Sequence, residues 1–163
     1  MSAYIQYATP MIEEDVLVTA LCEMGFAREH IEVHQSPQTL VGYKGMVRPE
    51  MGHIIIRRQH VGAASNDLGF IKEEGGYRMI ISNYDKTRYN ANWRMKLQEA
   101  YNNNLSIHIH KMGELEAKEQ QKKQQNLITY QKQQIYKEAK KRGYKVTESK
   151  VDGKVRLVLV KAN

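Results

Sequence analysis

The stretch HIIIRRQHVGAASNDLGFIKEEGGYRMIISNY (residues 53–84) decides the fold class of this chain. It holds three short apolar runs, separated by a small polar loop (VGAASND) and a tight glycine turn (EEGGY). Short runs rich in β-branched and aromatic residues, bounded by Gly, Asn and Asp, are typical of β-strands. Two further runs of this kind, IEVHQ and TLVGYKGM, precede them. The region from Ile31 to Asp85 therefore predicts five short strands in an antiparallel meander.

A strand and a helix are predicted upstream of the meander. AYIQYAT alternates as a strand does, and TPMIEEDVLVTALCEMGF repeats apolar residues at helical spacing. Thr9 suits the N-cap of this helix and Pro10 its first position, while Gly25 suits its end. We expect the helix to start at Pro10.

The chain after Asn90 is predicted to be mainly helical. The asparagines at positions 102–104 are expected to interrupt the helix, and the following LSIHIHK alternates like a short strand. The polar GELEAKEQQKKQQ suits a projecting helix, and a last helix should end at Gly143. Asp152-Gly153 is a favoured pair for a type I′ turn. Because the final VRLVLV is apolar on both faces, it is predicted to be an interior strand.

Together these elements predict an α+β fold. Its mostly antiparallel sheet of five to seven strands is packed by two helices, the N-terminal one and the one that ends before Gly143. A polar helical insertion and a C-terminal β-hairpin complete it. The length of 163 residues predicts a single α+β domain, 1–163, with the insertion at about 90–125.

The composition favours a cytoplasmic protein. A single cysteine, Cys22, leaves no internal disulfide and fits a reducing compartment. The first ten residues lack the pattern of a signal peptide, and no apolar run reaches the length of a membrane span. No contact with a membrane is therefore expected.

The formal net charge of +7 is concentrated in one segment. Between Lys111 and Lys145 ten Lys and Arg stand against four Glu, which gives +6, and the rest of the chain contributes +1. Such a segment creates a local positive field. Lysines and arginines can follow a phosphate backbone, and exposed tyrosines can stack on unpaired bases. The candidate residues for nucleic-acid or acidic-partner binding are Lys118, Lys122, Lys123, Lys132, Lys137, Lys140, Lys141, Arg142 and Lys145, with Tyr130 and Tyr136.

The same segment has a second interpretation. A solvated helix whose tyrosines cover a sheet would give this pattern, since Tyr136 follows the apolar Ile135. Both interpretations remain open at this point.

Other candidate sites are weaker. Arg57 and Arg58 are candidate ligand-binding residues. His108 and His110 would share one face of a strand about 7 Å apart, which makes them weak candidates for metal ligands. The sequence has no GxxxxGK, no GxGxxG and no HExxH motif. We therefore expect no cofactor and no catalytic residue, and an enzyme is the less favoured class.

Several sequence motifs of this chain occur in the same order as in an uncharacterised protein family. KEAKKRGYKVTESKVDGKVRLVLV combines a helix ending in Gly-aromatic, a strand, a DG turn and an apolar strand. LVTALCEMGF, LVGYKGMVRPEMGHIIIRR and NDLGFIKEEGGYRMI precede it. In this order they resemble the family of hypothetical chloroplast reading frame thirty-five and its cyanobacterial, bacterial and phage relatives, a domain of unknown function. The resemblance covers roughly residues 2–85 and 126–160.

The resemblance implies a partner but no reaction. Genes of the family often lie near those of AAA-type ATPases, which implies an accessory role beside such an ATPase. Our leading hypothesis is a non-enzymatic binding or adaptor protein whose basic helical segment contacts nucleic acid or an acidic partner. The alternatives are an accessory partner of an AAA-type ATPase and a small-ligand protein that binds nucleotide signals through Arg57 and Arg58. The helical insertion is also a candidate surface for homo-oligomers.

Overall fold

A computed structural model describes residues 3–161, which divide into two compact units, residues 3–110 (unit 1) and 111–161 (unit 2). Unit 1 contains β1 (Tyr4–Ala8), α1 (Glu14–Glu23), β2 (Ile31–Val41), β3 (Val47–Ile56), the single turn α2 (Arg58–Val61), β4 (Leu68–Glu73) and β5 (Gly76–Ser82). The helix α3 (Ala91–Lys141) has residues in both units, and β6 (Tyr144–Val151) and β7 (Lys154–Lys161) follow it. These elements confirm the α+β fold class. The single domain expected from the length stays a prediction.

The five strands of unit 1 form one antiparallel sheet in the order β1-β5-β4-β3-β2. The strands β2 to β5 pair consecutively, which confirms the predicted meander, and β1 joins at β5 with Tyr4 opposite Ser82. The predicted strand count for this region is wrong by one. IEVHQ and the start of TLVGYKGM form the single strand β2, whose register shifts between Val33 and Gln38 without a turn.

The start of α1 lies at Glu14, later than the predicted Pro10. The preceding segment is extended because it is bonded to the beginning of β5. The Tyr77 amide donates to the Met11 carbonyl at 2.7 Å, and the Thr9 hydroxyl donates to the Tyr77 carbonyl. Thr9 therefore secures the chain to the sheet and does not cap the helix.

The backbone amides just before α1 donate hydrogen bonds to a side chain of another helix. The backbone N–H groups of Ile12 and Glu13 donate to the hydroxyl oxygen of Tyr101 in α3, at 3.0 and 2.9 Å. Tyr101 is fully buried. Because unpaired amides at a helix start are costly when buried, this hydroxyl ties the position of α1 to the beginning of α3.

The main core of unit 1 lies on the face of the sheet that α1 and the first turns of α3 cover. Its buried side chains include Leu17, Leu21, Ile54, Ile56, Phe70, Tyr77, Met79, Leu97 and Tyr101. The second helix of this core is α3, which ends before Gly143 as predicted. The described core residues of α3 lie in its first turns, however, and not in the segment 126–141 that was expected to cover the sheet. A smaller cluster of Leu40, Ile55 and Ile80 lies apart from this core.

The helix α3 is continuous, and the predicted interruption at Asn102–Asn104 is wrong. Asparagine disfavours helices because its side chain competes for the backbone in other conformations. Here the Asn104 amide donates to the Ala100 carbonyl at 2.8 Å and to Glu23 of α1 at 2.9 Å, so the side chain is satisfied while the backbone stays helical. Neither α3 nor any other helix within residues 3–161 has the apolar length to cross a membrane.

The C-terminal hairpin is a separate two-stranded sheet, and the prediction of an interior strand is wrong. β6 and β7 pair with each other along their whole length, and no third strand in the described part of the chain joins them. Asp152 and Gly153 have φ of +51° and +72°, which confirms the type I′ turn. The apolar residues of β7 are consequently left largely exposed, with Leu159 at 52%.

Candidate nucleic-acid interface

The positive charge of the chain coincides with unit 2. Residues 111–163 contain fourteen Lys and Arg against six Asp and Glu, a net charge of +8. Residues 1–110 contain eleven basic and twelve acidic residues, a net charge of −1. A positive field of this kind is a property of one compact unit and attracts polyanions to it.

Few of the cations of unit 2 are neutralised by a neighbouring carboxylate. The ion pairs are Lys123–Glu119 at 2.7 Å, Arg142–Glu138 at 3.0 Å and Lys132–Glu148 at 3.1 Å. Within residues 3–161 the remaining eleven have no ion pair, and they are exposed. Their charge is therefore available to a ligand.

Lys132 and Tyr136 are turned toward the hairpin. The Lys132 ammonium donates to both carboxylate oxygens of Glu148 in β6, and the Tyr136 hydroxyl donates to one of them at 3.2 Å. The hydrogen bond from Lys132 lowers the pKa of Glu148 below its usual value. These two residues of the predicted binding set thus hold β6 against α3. For Tyr136 this agrees with the second interpretation, in which the tyrosines of the helix cover a sheet.

Six of the predicted lysines lie on one side of α3. At the helical rotation of about 100° per residue their positions fall within an arc of about 140°, over about 35 Å of helix. They are Lys118, Lys122, Lys123, Lys137, Lys140 and Lys141, all exposed. Lys132, which contacts the hairpin, lies outside this arc. We call the six lysines, together with Tyr130, the cationic face.

Tyr130 stands between lysines of the cationic face. Its side chain is 59% exposed. It follows Lys123 by seven residues and precedes Lys137 by seven, so the three side chains form a row with about 10 Å between successive Cα atoms. Lys123 is paired with Glu119, whereas Lys137 has no ion pair among the described residues, so the exposed ring can stack on a base while Lys137 contacts a phosphate.

Arg142 and Lys145 lie beyond the cationic face, where α3 ends and β6 begins. Arg142 is paired with Glu138, whereas Lys145 shares one face of the hairpin with Lys154 and Arg156. Lys154 and Arg156 are not in the predicted set because the sequence predicts an interior strand at their position. The alternation of charged and apolar residues at the start of β7 is the signal that identifies them.

Arg57 and Arg58 belong to unit 1, and both side chains have protein partners. The Arg57 guanidinium contacts Glu32 at 2.7 Å and the fully buried Asp67 at 3.0 Å, and Arg58 donates to the Ser65 carbonyl at 3.2 Å. The hydrogen bond from Arg57 lowers the pKa of Glu32. Both arginines fasten the connection between β3 and β4, and their ligand-binding role stays a prediction.

His108 and His110 lie in α3, so the strand geometry predicted for them is wrong. Residues two positions apart on a helix differ by about 200°, which turns them to opposite sides. Throughout the described residues no group of three or more His, Cys, Asp or Glu is arranged to hold a metal ion.

Comparison of the chain with protein-family models, curated proteins and solved structures found no match. The resemblance to the family of chloroplast reading frame thirty-five therefore stays a prediction.

Proposed function

We propose that unit 2 binds single-stranded nucleic acid through the cationic face. The observation that carries the proposal is the concentration of +8 in unit 2, combined with the location of six exposed lysines on one side of α3. Because nucleic acids have a regular row of phosphates, a row of lysines of this length makes several contacts at once. Each contact releases condensed counterions.

Tyr130 favours a single strand over a duplex. In a duplex the bases are stacked on each other and their faces are covered, whereas a single strand exposes them to aromatic side chains. Binding of this kind depends little on base sequence, since every base offers a ring face. An adaptor role follows if unit 1 contacts another protein while unit 2 holds the strand.

The lysines are tested by charge removal. We expect the change of Lys118, Lys122, Lys137 and Lys140 to Gln to weaken binding of an oligothymidylate at least about tenfold at about 0.1 M salt. The slope of log K against log salt concentration should fall by about 2 to 3, because each contact to a single strand contributes about 0.7. Fluorescence anisotropy over a salt series measures both quantities.

The matched control removes the same charge from unit 1. Its four lysines, Lys44, Lys72, Lys86 and Lys96, are exposed, and their change to Gln should leave affinity and slope at the wild-type values. Equal losses in the two variants would mean that net charge alone drives binding, which contradicts the proposal. Displacement of the strand by an equally charged polyglutamate would instead indicate an acidic protein as the partner.

Tyr130 is tested separately, because stacking and phosphate contact respond differently to salt. We expect Tyr130→Ala to weaken binding of the single strand roughly 5- to 100-fold, the range that corresponds to the loss of one stacked base. The salt slope should stay unchanged, and affinity for a duplex of the same length should change less than twofold. Tyr43→Ala, which removes an exposed tyrosine of unit 1, is the control. A loss that is equal for single strand and duplex would exclude stacking by Tyr130.

A further inference from the structure

The outer edge of β7 is an unusual feature of unit 2. β7 is bonded to β6 on one side, and no strand within residues 3–161 is bonded to the other. Five of its eight residues are aliphatic, and the exposed fractions of Val158, Leu159 and Val160 are 41%, 52% and 51%. β6, in contrast, has charged and hydroxyl side chains at most of its positions. Charged edge strands resist pairing with other chains, whereas exposed apolar ones promote it.

The turn geometry determines which backbone groups of β7 are unpaired. A two-residue type I′ turn makes its flanking residues, Val151 and Lys154, a hydrogen-bonded pair. Bonded and non-bonded pairs then alternate along the ladder. The N–H and C=O groups of Val155, Leu157 and Leu159 consequently point away from β6, toward the open edge.

We propose that β7 pairs antiparallel with β7 of a second copy of this chain, with Leu157 on the two-fold axis. This register places Val155 opposite Leu159 and joins the outward-pointing backbone groups of both copies. Lys154 then lies opposite Val160 of the other copy, and Arg156 opposite Val158. No cation faces a cation, whereas a register centred on Arg156 would place two arginines opposite each other, which destabilises a sheet.

The second copy extends the sheet of the hairpin. An isolated two-stranded hairpin is marginally stable; packing against α3 stabilises this one, and additional strands with an apolar face stabilise it further. Val155, Leu157 and Leu159 share the face that carries Glu148, which contacts Lys132 and Tyr136 of α3. The proposed dimer therefore has a four-stranded sheet whose central strands present six aliphatic side chains on that face. The interface is the same on both copies, as two-fold symmetry requires.

Salt distinguishes this dimer from nucleic-acid binding. Each unit 2 has a net charge of +8, so the two copies repel each other and screening by salt reduces the repulsion. The dimer of the full chain should therefore become tighter as salt increases, whereas binding to a strand should become weaker.

Sedimentation velocity of the full chain with two proline variants tests the interface. Val155 and Lys150 lie opposite each other in the hairpin, and each has an N–H that points away from the other strand. Proline removes that N–H and is tolerated at such an edge. We expect Val155→Pro to weaken the dimer at least about tenfold, because two bonds across the interface are lost. Lys150→Pro should dimerise as the wild type does.

A cysteine variant tests the register directly and does not depend on how proline affects folding. The natural Cys22 is first changed to Ser, which leaves no other thiol in the chain. Cα atoms of a hydrogen-bonded antiparallel pair are about 5.5 Å apart, within the range that a disulfide spans. Mild oxidation should link Leu157→Cys into a covalent dimer and leave Thr147→Cys in β6 unlinked. A wild-type chain that stays monomeric at about 0.1 mM, or equal cross-linking at the two positions, would overturn the proposal.

Discussion

Asp67→Ala is expected to lower the free energy of unfolding of unit 1 by about 4 kcal/mol. The Asp67 carboxylate is fully buried and accepts the backbone amides of Val41 and Arg58 at 2.8 and 2.7 Å, in addition to Arg57 at 3.0 Å. Alanine leaves two amides and part of a guanidinium without an acceptor, and each unpaired group costs about 1–3 kcal/mol. Urea unfolding followed by the fluorescence of Trp93, the only tryptophan, which packs against the core of unit 1, measures the change.

The control for Asp67 is an ion pair at the surface. Glu73 contacts Arg78 at 2.7 Å, but both side chains are about 40% exposed. Exposed pairs contribute about 0–1 kcal/mol, so Glu73→Ala should change stability little. If the two variants were destabilised equally, Asp67 would not be the group that joins β2 to the β3–β4 connection.

Gly76→Ala is expected to destabilise unit 1 by about 3 kcal/mol or more. Gly76 has φ of +133°, and a Cβ atom there would lie 2.6 Å from the Thr9 carbonyl oxygen and 2.9 Å from that of Met11. Both oxygens belong to the backbone segment that is hydrogen-bonded to Tyr77, so they cannot move away from the Cβ atom without breaking those hydrogen bonds. The same unfolding experiment measures the loss.

The neighbouring glycine offers a matched control. A Cβ atom at Gly75 would meet nothing within 4 Å, so Gly75→Ala in the same turn should stay within about 0.5 kcal/mol of the wild type. A Gly76→Ala protein as stable as Gly75→Ala would mean that the segment from Thr9 to Met11 shifts freely, and that it does not fix the entry into α1.

Local patterns predicted the elements of unit 1 but not their partners. The apolar run around Ile54 and the glycine turn before Tyr77 predict strands correctly, because strand and turn preferences act over a few residues. The hydroxyl of Tyr101 lies 88 positions from the Glu13 amide that it accepts, and no local rule connects them. The sequence therefore predicts the N-cap at Thr9, which has the right residue type but is held by β5.

In unit 2 the local pattern was ambiguous. An apolar run such as that of β7 is compatible with a buried interior strand and with an exposed edge strand that can pair with another chain. The sequence does not distinguish the two. Counting charges locates the excess of basic residues in this segment, but the count does not separate Lys132, which holds the hairpin, from Lys137, which is exposed. That separation depends on where β6 packs, and therefore on tertiary structure.

The position of β1 next to β5 has a consequence for synthesis of the chain. The strands β2 to β5 can pair in the order in which a ribosome releases them, but Tyr4 must wait for Ser82, 78 residues later. At about 5–20 residues per second this delay is roughly 4 to 16 s. During that time β1 is released and unpaired, so of these five strands the first to be made is the last to join the sheet.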